Sequence, residues 1–208
     1  FCDNFEDGDA NGWTVRQGSA ADFSVVSDGS WVYRQANPST TGWRISQAGA
    51  GWGDQVVEAR IKVTSFAGSN GGYVAGVFGR YNTTTDCAYM VAVGGDGKMS
   101  IRKRVGGTTT VLGAPLSSGI SAGTWYLLRL EMSGTRLGAY LNNVPMITLT
   151  DSSCTSGSVG VGSQGAAFEA DDVRVDEPAP NGTPWFAGFE DPARPWTTTG
   201  VGTIAVTT

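Results

Sequence analysis

Apolar and polar residues alternate along most of this chain, in short runs broken by Gly, Asn, Asp and Ser. Over residues 55–63, Val57, Ala59, Ile61 and Val63 share one face while Val56, Glu58, Arg60 and Lys62 share the other. That period of two is the signature of a strand with one wet face. Residues 98–105 repeat it, with Met99, Ile101 and Val105 set against Lys98, Ser100, Arg102 and Arg104. Segments 73–81 and 88–93 are more evenly apolar, as central strands covered on both sides should be. Residues 125–132 bury Leu128, Leu130 and Met132, and segments 136–141 and 144–149 flank Asn142-Asn143 as a hairpin. Segments 158–162 and 169–175 close the set. Roughly twelve strands and no helical period predict an all-β fold, a two-sheet antiparallel β-sandwich.

Composition supports strands and narrows the chemistry. The 31 glycines and the 16% of charged residues favour turns and strands over helices. Seven Trp, eight Phe and six Tyr supply enough apolar area to argue against disorder. A net charge of -5 is not the footprint of a nucleic-acid binder. With no His, neither a Ser-His or Cys-His pair nor a His-type zinc site is available, so carboxylate, Tyr, Lys and Arg remain for acid-base work. No apolar run is long enough for a membrane span. The chain opens at Phe1 without a signal peptide, as a trimmed, secreted mature protein would. Cys2, Cys87 and Cys154 fit no metal or redox spacing, and one disulfide with a spare thiol in an oxidising compartment is the simplest account. Cys87 with Cys154 is the favoured pair, since both sit at loop-to-strand junctions; three unpaired small side chains are the alternative.

After Val175 the composition changes. Residues 1–176 read as one domain and 177–184, Glu-Pro-Ala-Pro-Asn-Gly-Thr-Pro, as a linker. Beyond it, Phe189-Glu190-Asp191 with Trp196 echoes Phe5-Glu6-Asp7 with Trp13. Residues 185–208 are therefore expected to open a second, similar module, or else to be a tail packed on the first domain.

Four stretches carry a family resemblance: Phe5-Glu6-Asp7-Gly8-Asp9 followed by Trp13; residues 23–30 leading into Val32-Tyr33-Arg34-Gln35; residues 123–130; and Ser156-Gly157-Ser158-Val159-Gly160-Val161-Gly162 leading to Asp171-Asp172-Val173-Arg174-Val175. Together they resemble the concanavalin-A-like, laminin-G-like modules attached to secreted bacterial polysaccharide-degrading enzymes, pectate lyases among them. The resemblance implies a jelly roll, a polysaccharide ligand and a place within a larger secreted enzyme. The end pattern also resembles the final strand of family 16 glycoside hydrolases, where an Asp ahead of Val-Arg-Val holds a structural calcium. Carried over, it implies Asp171 as carboxylate ligand, Gly29 as carbonyl ligand, and Glu6 or Asp7 as the first-strand contribution. Calcium takes six to eight oxygens and can staple a first strand to a last one.

Catalysis finds little support. The family 16 signature needs acidic residues at alternating positions, all pointing into one cleft. Glu58 is followed by Arg60 and Lys62, and Glu131 by Ser133, so neither has an acidic partner two or four residues on. A lyase would draw on Tyr81, Tyr89 or Tyr126 with Arg80, and no catalytic residue is assigned. For sugar binding, stacking needs exposed aromatic rings. Trp13 and Trp125 are expected in the core, whereas Trp43 and Trp52 flank Ala48-Gly49-Ala50-Gly51, read as a loop. Arg102, Lys103 and Arg104 concentrate positive charge, with Arg60, Lys62 and Arg80 on nearby strands, and would suit a uronate polymer such as pectin; a solvated strand edge is the plainer reading. The candidate binding set is Trp43, Trp52, Arg80, Tyr89, Arg102 and Arg104. A non-catalytic carbohydrate-binding module with structural calcium is the resulting expectation. A His-free lyase or hydrolase, and a laminin-G-like adhesion domain, are the alternatives.

Overall fold

The computed structural model describes residues 1–178. In chain order the strands are β1 (Cys2–Asp3), β2 (Trp13–Gln17), β3 (Phe23–Ser27), β4 (Trp31–Gln35), β5 (Arg44–Trp52), β6 (Gln55–Phe66), β7 (Val74–Asn82) and β8 (Cys87–Gly94). They continue as β9 (Lys98–Val105), β10 (Thr108–Ser117), β11 (Trp125–Ser133), β12 (Arg136–Leu141), β13 (Val144–Thr150), β14 (Gly157–Gln164) and β15 (Ala166–Asp176). One sheet runs β13-β12-β11-β6-β15-β4-β3, with β1 also paired to β15; the other runs β10-β9-β8-β7-β14-β5-β2. Every pairing is antiparallel. The expected two-sheet sandwich, a jelly roll, is what the chain forms.

Alternation decides what lies between the sheets. Val57, Ala59 and Ile61 of β6 and Leu128 and Leu130 of β11 meet Val77 of β7, Val91 of β8 and Ile101 of β9, all at 1% exposure or less. At about 25 cal/mol per Å² of apolar surface removed from water, this interior is the main stabilising term. Cys87 and Cys154 are joined across a Cα separation of 5.6 Å, tying the start of β8 to the connection that crosses from β13 to β14; Cys2 is free and exposed.

Two strands depart from expectation. β5 runs through Ala48-Gly49-Ala50-Gly51 because β14 and β2 pair with it on either side. Gly49 has φ 78° and the Trp52 ring lies over it; a Cβ there would come within 2.0 Å of that ring. Glycine in this stretch makes room for an aromatic, which a loop reading of the same letters misses. β10 lacks clean alternation because among the described strands it is an edge paired to β9 alone, with an irregularity between Leu112 and Leu116 that takes in Pro115. Residues 179–184 of the expected linker, and the expected second module or tail over 185–208, lie outside the described residues.

Candidate functional site

The seven-stranded sheet has a second apolar layer on its outer face. On β8, Cys87, Tyr89, Val91 and Val93 point between the sheets, while Ala88, Met90 and Ala92 point outward. Trp43, Ile45, Val74, Phe78 and Tyr81 join the outward set, every member less than a tenth exposed. Strand register lines these residues up. One row reads Thr14, Gln47, Gly160, Phe78, Met90, Arg102 and Val111 across β2, β5, β14, β7, β8, β9 and β10. Phe78 lies low on the sheet because Gly162 sits beneath it, where a Cβ would come 3.0 Å from the ring. Trp43 meets Phe78 edge-on at 5.8 Å and Tyr81 meets it at 6.0 Å, giving a line of three aromatics.

Polar groups flank that line. At one end the Gln47 amide accepts from Arg16 Nη2 at 2.8 Å and donates to Ser158 Oγ at 2.7 Å. At the other, Arg102 Nε donates to Ser100 Oγ at 3.1 Å and Nη2 donates to the Gly71 carbonyl. Arg104 forms a two-pronged pair with Asp86, at 2.8 and 2.7 Å. Burial and the nearby Asp86 push the Tyr81 hydroxyl above its usual pKa, against the pull of Arg104 and Arg16. Among the described residues, the Tyr81 hydroxyl has no hydrogen-bond partner, yet it is not among the sealed polar atoms of the fold. The whole sheet is cationic: its strands hold one basic residue each on β2, β5 and β7 and four on β9, and no Asp or Glu. An acid-base carboxylate pair therefore has no place on these strands.

Of the residues expected to bind sugar, the fold brings Trp43, Arg102 and Arg104 to this face. It places the other three elsewhere. Tyr89 points inward at 0% exposure, donating to Asp151 Oδ1 at 2.6 Å and accepting from the Cys154 N–H at 3.1 Å. Burial and the Asp151 bond push its pKa up to about 12, so it is a core tyrosine that no polymer reaches. Arg80 is 2% exposed and clamps an end of the sandwich, donating to the carbonyls of Gly53, Gly134 and Cys154 and pairing with Asp54 at 2.9 Å. Its three nitrogens are committed. Trp52 packs against Phe1 and over Gly49.

Trp13 packs on Phe5 and Tyr33 with its Nε1 donating to Asp3, against the core as expected. Trp125 does not enter the core. It is half-buried beneath Arg60 and Lys62, which lie 4.9 and 5.1 Å over its ring. Phe78 and Met90, each 1% exposed, form the floor under this face, and Arg16 and Gln47 border it; alternation alone did not single out these four. The even apolarity of β7 and β8 was the signal for them, since an apolar outer face on a sheet needs a reason.

The residues implied as calcium ligands gather at the other sheet. β4 pairs with β15 up to Ala170 and β1 pairs with it from Val173, so Asp171 and Asp172 fall at the junction, Asp172 with φ 49°. Asp171 accepts from Ser30 Oγ at 3.3 Å, beside Gly29 (φ 84°), and Glu6 accepts from the Trp31 N–H at 3.3 Å. Burial and the neighbouring Asp172 push the Asp171 pKa up, so this carboxylate gains from a nearby cation; Arg60, at 3.4 Å, is the positive charge the chain itself supplies. Asp7 instead accepts from the Asp9 N–H in its own turn. The donors are all oxygens, the chemistry of a hard cation. Among the described residues no three His, Cys, Asp or Glu side chains are grouped to hold a metal, so backbone carbonyls would have to complete such a shell. On the same sheet Glu58 and Glu131 are neutralised by Arg129 between them, with Arg174 on Glu58.

These features define a jelly-roll domain whose two outer faces differ sharply, one a mixed charge network, the other cationic with an aromatic floor. The fold is shared with the carbohydrate-binding module CBM66 from Bacillus subtilis, at 20% identity and TM-score 0.66 over 80% of this chain and 96% of that one. It is shared too with a Bacillus licheniformis β-glucanase (16%, 0.66, 85% and 97%) and a family 16 endo-glucanase from Bacteroides ovatus (15%, 0.62, 85% and 99%). No curated protein matches the chain. The chain belongs to the 3-keto-alpha-glucoside-1,2-lyase-like domain family, whose model matches residues 2–176.

Proposed function

We propose that this domain is a non-catalytic carbohydrate-binding module that takes an extracellular polysaccharide on the outer face of its seven-stranded sheet. The observation that carries the reading is a face with a line of aromatics and flanking donors, on strands without a single carboxylate. Such a face offers donors for sugar hydroxyls around Trp43, which keeps 8% of its surface exposed, and its strands carry no carboxylate to protonate a leaving group. The fold shared with CBM66 supports the same reading. Attached to a secreted enzyme, the module would raise the local concentration of polymer at that enzyme. The disulfide supports an oxidising, extracellular setting. Calcium, held by Asp171, Glu6 and the Gly29 carbonyl, would fasten the first strand to the last and stabilise without joining the binding face.

Retention of the chain on a panel of insoluble and gel-embedded polysaccharides tests the proposal. The native chain should be retained on at least one and Trp43→Ala with Tyr81→Ala released. Equal retention of both, or of neither, defeats it. The family match favours one rival reading, a lyase acting on a glucoside. Product assays for unsaturated and reducing ends decide that case, and turnover by the native chain would replace the binding proposal.

A further inference from the structure

Resting on that binding reading, we infer that the polymer is anionic, and that Arg102 supplies the counter-charge for a sugar oxyanion, a carboxylate or a sulfate ester. The sheet's other buried or half-buried cations have acidic partners. Arg104 pairs with Asp86 at 2.7 Å, Arg80 with Asp54 at 2.9 Å, Lys103 with Asp151 at 2.7 Å and Arg44 with Asp22 at 3.4 Å. Arg102, only 9% exposed, bonds two neutral oxygens, Ser100 Oγ and the Gly71 carbonyl. Asp96 acts on it only at longer range, and among the described residues no carboxylate lies within ion-pair distance. A guanidinium withdrawn from water without a direct counter-charge is unfavourable, and an incoming anion offsets that penalty.

Position agrees with charge. Arg102 stands in the same cross-strand row as Met90, directly opposite it, and so projects on the outer face of this sheet, beside the aromatic cluster. Among the described residues its Nη1 makes no hydrogen bond, and it is not sealed from solvent. Two residues further along, Arg104 Nη1 and its cross-strand neighbour Thr109 Oγ1 are buried without hydrogen-bond partners, a second pair of groups lacking an acceptor. Two residues along a strand is about 7 Å, the scale of one sugar ring.

Calorimetric titration of the full chain with polygalacturonate, its fully methyl-esterified form, a sulfated galactan and the unsulfated galactan tests this. We expect at least one charged polymer to bind about ten-fold or more tighter than its neutral counterpart, with the gap shrinking as salt is added. Arg102→Gln should abolish the gap and Arg102→Lys should restore part of it. Which pair shows the gap tells carboxylate from sulfate. Equal binding of charged and neutral forms overturns this inference and leaves the binding reading standing, as does a gap that survives in Arg102→Gln. Failure to bind any polymer sinks both. If Arg102→Gln does not fold, the esterified and free polymers on the native chain decide alone.

Discussion

Removing the Cys87–Cys154 bridge perturbs one of the few links that crosses between distant parts of this sandwich. The bond closes a loop with a sequence separation of 67. For a loop of that length, chain-entropy reasoning gives roughly 4 kcal/mol of stabilisation, obtained by restricting the unfolded chain. Single domains have about 5–15 kcal/mol in total, so the bridge is a large share. Cys87→Ala with Cys154→Ala should therefore lower the unfolding free energy by about 4 kcal/mol, plus a small loss from deleting two buried sulfurs. Urea unfolding followed by tryptophan fluorescence measures it, with Cys2→Ser in both proteins so that the exposed thiol cannot exchange into the bridge. Glycan binding should persist below the new midpoint, because Cys87 points inward while Ala88 beside it faces the binding layer. A loss under about 1 kcal/mol would refute the loop-closure reasoning and place the bridge in an already restrained segment.

Other outcomes follow from single contacts. Gly162→Ala puts a Cβ 2.5 Å from the Arg44 carbonyl and 3.0 Å from Phe78; it should cost about 1–3 kcal/mol in thermal melts and weaken glycan retention by tilting the ring. Tyr89 has a raised pKa, about 12 against an ordinary 10.0, so its contribution is intact below pH 10 and disappears as pH climbs to 12. That drop, roughly 2–3 kcal/mol, should be absent in Tyr89→Phe when denaturation is repeated across the range. Its partner Asp151 has the opposite sign. Burial opposes its charge, but bonds from Lys103, Tyr89 and Ser153 hold it well below the carboxylate range, so its share is full above pH 4 and is lost as acid is added. Calcium should raise the melting temperature of the native chain and leave Asp171→Asn unmoved; equal shifts in both would dismiss the proposed ligand.

How far the sequence could be read depended on which force shaped each residue. Period-two alternation fixed β6, β9 and β11 because one face of each meets the core, and Val57, Ile101 and Leu130 sit where that rule puts them. It failed at β5, where glycines accommodate the Trp52 ring, and at β10, whose place depends on β9 rather than on a buried face of its own. The site was harder. Trp43, Arg102 and Arg104 stood out by residue type, but Tyr89 and Arg80 stood out equally and are structural. One residue of register separates inward Tyr89 from outward Met90, and the left-handed turn at Arg80 (φ 49°) shifts the pairing that follows it. Neither the local turn nor its bonds to Gly53 and Gly134 leave a trace in the composition of β7. Trp125 was misplaced for a related reason: its pairing with Lys62 puts it beside two cations on the outside of the other sheet.

The pairing of β1 with β15 leaves the carbonyl of Phe1 2.8 Å from the amide nitrogen of Val175. The first and last strands of the described sandwich thus share a corner. A sandwich with neighbouring first and last strands can be spliced into a surface loop of a host with hardly any separation demanded of the two cut ends. Such an insertion leaves both sheets whole.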